Sequence, residues 1–132
     1  MSKFRRVTSP DVAEPPPETW SNCLVAGNTV YIAGLTARDA GGAAMAGADD
    51  EAQAQAIFAK IKVLLEAAGG EMADMVKMTI YVTDIRRREQ VWKARREFFS
   101  GDFPISTLVE VSKLADPAIT VEIDAIAHLG SV

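Results

Sequence analysis

Hydrophobic and polar positions change period several times along the chain, and each change marks a predicted element. Residues 23–27 (CLVAG) and 29–35 (TVYIAGL) are short apolar runs divided at Gly27-Asn28, a pair suited to a tight hairpin turn. From Asp49 the spacing turns helical, with Ile57, Ile61, Leu64 and Ala68 on one stripe. Asp49, Asp50 and Glu51 sit where negative charge suits a helix start, and Gly69-Gly70 closes the helix. Alternation follows in MVKMTIYVTD, with Val76, Met78, Ile80 and Val82 on one face and Lys77, Thr79, Tyr81 and Thr83 on the other. Helical period returns over 85–99, where Val91, Ala94 and Phe98 share a stripe. Two β-branched runs, joined by a turn around Asp116-Pro117, fill 103–127.

This order is β-β-α-β-α-β-β, which predicts an α+β fold with a single mixed sheet and two helices on one face. Residues 1–132 are expected to form one domain, with 1–19 as an extended N-terminal arm because Pro10, Pro15, Pro16 and Pro17 forbid helix. ARDAGGAAMAG reads as a surface loop. Leu108, Ile126 and Tyr81 fall opposite the main apolar rows of their strands, so the uncovered face calls for a partner subunit. A homo-oligomer is expected.

Composition narrows the chemistry. With 132 residues, 48% of them hydrophobic, the chain can bury one real core. A net charge of −4 argues against strong nonspecific attraction to nucleic acid or anionic membranes. No apolar run approaches the roughly 20 residues that span a bilayer. The opening MSKFRRVTSP lacks the apolar core of a leader, so a soluble, cytoplasmic protein is expected. A single Cys, Cys23, and a single His, His128, cannot build an intrachain disulfide or a structural zinc site. His128 reads as an exposed or capping residue at a strand end. No metal ligands are assigned.

The candidate chemistry lies in the last strand. Glu122 and Asp124 occupy alternate positions of an otherwise hydrophobic run, where a carboxylate is costly unless it is partnered or faces a cleft. FPISTLVEVSKLADPAITVEIDAIA, together with EAQAQAIFAKIKVLLEAAGGEMADMVKMTIYVTDI, resembles the RidA (YjgF) family, and the resemblance runs from about Trp20 to Ala127. It implies a chorismate-mutase-like fold and a homotrimer with small-molecule clefts between subunits. It also implies hydrolysis of 2-aminoacrylate and related imines or enamines to 2-keto acids and ammonia, with no cofactor.

Carried over by position, Glu122 matches the acid that positions or activates water, and Gly34 matches a glycine whose N–H faces substrate. Ala33 stands where serine is common, Trp20 where a tyrosine lines the cleft, and Trp92 where asparagine is frequent. Leu108 replaces a frequent cysteine. Ser106 replaces the arginine that holds the substrate carboxylate, and shares strand parity with Leu108, so both should face one cleft. Serine cannot imitate the bidentate guanidinium fork, so 2-aminoacrylate deamination is expected to be weak or absent. Arg38, just beyond Gly34, is the cation weighed as a replacement.

Two other readings stand beside this one. The same cleft could serve a noncatalytic, metabolite-binding trimer, which leaves enzymatic activity open. Segment 85–99 carries Arg86, Arg87, Arg88, Lys93, Arg95 and Arg96 against Glu89 and Glu97, and some relatives have been described as ribonucleases. RNA contact ranks lowest, because basic and aromatic residues are not interleaved as in an RNA-binding module.

Overall fold

The computed structural model describes residues 3–130. Its strands are β1 (Arg5–Arg6), β2 (Cys23–Ala26), β3 (Thr29–Thr36), β4 (Met75–Val82), β5 (Ile105–Glu110) and β6 (Val121–His128), and its helices are α1 (Asp50–Ala67) and α2 (Arg88–Arg96). The strands form one sheet in the order β1-β2-β3-β6-β4-β5. Only β4 and β5 pair in parallel, so the sheet is mixed, as expected.

The β2–β3 hairpin turns at Gly27, whose φ of 59° is the left-handed conformation glycine adopts without strain. Asp49 caps α1 by accepting from the Ala52 amide at 2.8 Å, and Gly69, with φ 98°, ends it. The buried stripe of α1, including Ile57, Phe58, Ile61, Leu64 and Leu65, covers the row Val30, Ile32, Met78, Ile80, Val82, Ile123 and Ala125. Phe58 also meets Phe98 and Phe99, beyond the end of α2, at ring distances of 5.4 and 5.9 Å. Both helices therefore lie on one side. The other face carries Tyr31, Tyr81, Glu122, Asp124 and Ile126.

Four expectations are adjusted. Val76 does not share the buried row: the register shifts between Met75 and Lys77, and the bulge turns Val76 outward to 39% exposure. Leu108 does not lie on the uncovered face; it sits opposite Ile80 and packs on the helix-side core, while Ile105 and Val109 occupy the open face. The helical stretch from Ile85 begins as a 3-10 turn over Ile85–Arg87, and α2 itself ends at Arg96. Within the expected arm, Arg5 and Arg6 pair with Val25 and Leu24, and Val7 and Val12 are buried in the core.

Asp50 and Gln53 form a polar latch inside this core. Asp50, 2% exposed, accepts from the Thr120 hydroxyl and from Arg87 Nε at 3.1 Å. The Gln53 amide donates to Ala48 O and Ala118 O, and its oxygen accepts from Thr120 N. This ties the start of α1 to the loop that leads into β6.

Candidate functional site

Glu122 stands on the open face of β6, opposite Thr36 of β3 and Tyr81 of β4. The register of β3 slips between Ile32 and Leu35, and Gly34 lies in that irregular step. The Glu122 carboxylate occupies the space directly over Gly34, and a Cβ at position 34 would collide with Oε2. A glycine is therefore required for the acid to rest there. Partial burial pushes the Glu122 carboxyl above its ordinary range, and the nearby Asp124 charge adds to this. Asp124 accepts from Tyr81 Oη at 3.1 Å, a bond that raises the phenol in turn.

Beside Gly34 opens a cavity of about 390 Å³, lined among others by Pro16, Trp20, Gly34, Thr36, Arg38 and Lys60. Trp20 is 56% exposed, and the turn before it includes Glu18 at φ 64° and a bond from the Thr19 hydroxyl to Pro16 O. Ala33 is fixed by its amide, which donates to Asn22 O at 2.9 Å. Arg38 reaches the cavity while donating to Gly42 O at 3.0 Å. Lys60 donates to Thr36 O at 2.7 Å, and its ammonium pKa is lowered by burial and by Arg38. Nothing in the sequence pattern distinguished Lys60, because it lies on a helix otherwise legible as core packing.

Trp92, Ser106 and Leu108 form a separate group. Pairing places Ser106 opposite Met78 and Leu108 opposite Ile80, on the helix side of the sheet. Ser106 Oγ accepts from Arg95 Nη1 at 2.9 Å. Trp92 is half-buried on α2, with the Arg88 guanidinium 5.7 Å from its ring centre. Within one chain Gly34 meets Glu122 and shares a cavity with Trp20, while Trp92, Ser106 and Leu108 lie apart from that group. The shared parity of Ser106 and Leu108 holds, on the face opposite Glu122.

Three of the six basic residues around α2 are paired with carboxylates. Arg86 pairs with Asp84, Arg87 with Asp50 and Asp84, and Lys93 with Glu51. Asp84 is held down at about 2 by its bonds from Arg86. Those pairs reduce the positive charge that a phosphate backbone would meet. Cys23 is fully buried, which pushes its thiol up to about 11 and keeps it out of nucleophilic chemistry. Among the described residues no cluster of three or more His, Cys, Asp or Glu could hold a metal ion, and no helix is long and apolar enough to cross a membrane.

Comparison with known proteins gives a consistent picture. The endoribonuclease L-PSP family model matches residues 12–129. A 2-iminobutanoate/2-iminopropanoate deaminase of Dermatophagoides farinae is 30% identical over 122 residues, 92% of this chain and 94% of that one. A Pseudomonas aeruginosa protein of unknown function superimposes with a TM-score of 0.87 at 42% identity, covering 98% of this chain and 95% of its own. RidA from an Antarctic Psychrobacter superimposes with a TM-score of 0.85 at 29% identity, over 95% of this chain and 99% of that one.

Proposed function

The chain belongs to the RidA/YjgF family, the family of the endoribonuclease L-PSP model, and from that premise we propose that it hydrolyses the imine or enamine of a small metabolite. The site is a cleft between subunits of a homotrimer. One chain supplies Trp20, Ala33, Gly34 and Glu122, and its neighbour supplies Trp92, Ser106 and Leu108. The observation that carries this reading is the Glu122 carboxyl, set over Gly34 and raised above its ordinary range by burial. A carboxylate of raised pKa is a better general base near neutral pH than one in free solution.

The reaction follows from that placement. Water attacks the carbon of the protonated imine while Glu122 takes one of its protons, and the C=N electrons settle on nitrogen to give a neutral carbinolamine. Glu122 then returns that proton to the amine, ammonia leaves as the C=O bond forms, and the hydroxyl proton passes to the departing ammonia, which is released as ammonium. An enamine reaches the same path after tautomerising to its imine. Each step uses only water and a proton carrier. With Ser106 in place of the carboxylate-holding arginine, 2-aminoacrylate is a poor substrate, and bulkier imines are preferred.

The test is ammonia release from imines generated freshly in the assay. Glu122→Gln should lower turnover about 100-fold, within the usual range for losing a general base. Unchanged turnover in that variant, or ligands that bind and are never consumed, would replace hydrolysis with metabolite binding.

A further inference from the structure

Arg88, Trp92 and Arg95 recur at i, i+4 and i+7 on α2, which places them on one stripe of the helix. At one end of that stripe Arg95 reaches the edge strand, donating from Nη1 to Ser106 Oγ at 2.9 Å. Its Nε is buried and finds no acceptor in the chain, the one such side-chain atom among the described residues. A buried donor without an acceptor is destabilising, so natural proteins rarely retain one without a use. The cations Arg86, Arg87 and Lys93 each reach a carboxylate, whereas Arg95 is bonded to a neutral hydroxyl.

We propose that Arg95 is the carboxylate anchor of the cleft, supplying from α2 the guanidinium that position 106 lacks. This rests on the cleft reading above and deepens it. Ser106 fixes Nη1 and leaves Nη2 as the donor that meets a carboxylate, while the buried Nε behind it finds no acceptor in the chain to offset the charge. Serine at 106 is what permits this, because an arginine there would set two guanidinium groups against each other. Half-burial of Arg95, which also depresses its pKa, strengthens its attraction for an anion. Trp92, one turn earlier, offers a flat wall beside the anchor. Moving the anchor from strand to helix changes its span to Glu122, a change that a three-carbon enamine tolerates least. Weak 2-aminoacrylate turnover and a retained preference for acids therefore go together.

The experiment is calorimetric titration of the full chain with 2-oxobutanoate and with its methyl ester, which keeps the keto group but not the charge. The native protein should bind the acid at least about tenfold more tightly than the ester, a difference of about 1.4 kcal/mol. Arg95→Ala should erase that preference, and Arg38→Ala should leave it. Ser106→Arg on the Arg95→Ala background should restore it, which a purely structural role for Arg95 would not produce. Arg95→Met keeps the packing of the stem and decides the matter if Arg95→Ala melts early. An undiminished acid preference without Arg95, or none in the native protein, overturns the proposal. Failure of the hydrolytic reading is seen separately: Glu122→Gln would then leave turnover unchanged while the acid preference still depended on Arg95.

Discussion

At the scale of single residues, Glu122 combines a position that protein interiors disfavour with a surround that stops short of neutralising it. Its folded-state pKa lies above the ordinary 4.5, because burial and Asp124 both disfavour the charge. The unfolded chain therefore releases this proton first. Stability falls as pH rises from the ordinary value through the folded one, and the full penalty is present above both. Glu122→Gln removes that penalty. Its melting temperature should exceed that of the native protein at about pH 7.5, with the gain vanishing below about pH 4. An equal gain at both pH values would show that charge is not the cause. The acid could be singled out from sequence because a carboxylate in a β-branched strand is conspicuous. Arg95 could not, because its role depends on a hydroxyl eleven positions away, across the turn into β5.

Elements joined by buried polar contacts show where pattern stops being informative. The stripe of α1 and the alternation of β4 and β6 were readable, since each follows from a local period and a sheltered face. The outward turn of Val76 was not, because a bulge is set by pairing with β6, and alternation carries no record of it. Asp49, Asp50 and Glu51 looked alike in sequence, yet they diverge. Asp49 caps, Glu51 meets Lys93, and Asp50 is buried against Thr120 and Arg87. The Gln53 latch is equally nonlocal, with partners 65 and 67 positions away. Gln53→Ala should cost about 3 kcal/mol, since it removes three hydrogen bonds to partly buried backbone groups. Urea unfolding checks this, with a lower midpoint and an unchanged slope expected. A loss under about 1 kcal/mol would mean that the loop re-forms its bonds elsewhere.

For the molecule as a whole, the open face of the sheet is the deciding feature. Ile105 is 68% exposed on the outermost strand, near the exposed Val109, and Tyr31 is 48% exposed farther across the same face. Apolar side chains gathered on one sheet face mark an assembly surface. Light scattering on the native protein should give three times the 14.2 kDa of one chain. Ile105→Lys should reduce this to a single chain with its helical content intact, and a variant that stays assembled would move the contact elsewhere.

Because Glu122 and Ser106 sit on opposite sides of one sheet, the two kinds of damage need not add up in a blend. Chains carrying Glu122→Gln and chains carrying Arg95→Ala, each crippled alone, could be unfolded together and refolded as hybrids. Some junctions in those hybrids would draw the intact acid from one parent and the intact guanidinium from the other. Part of the lost turnover should return, although neither polypeptide had been repaired.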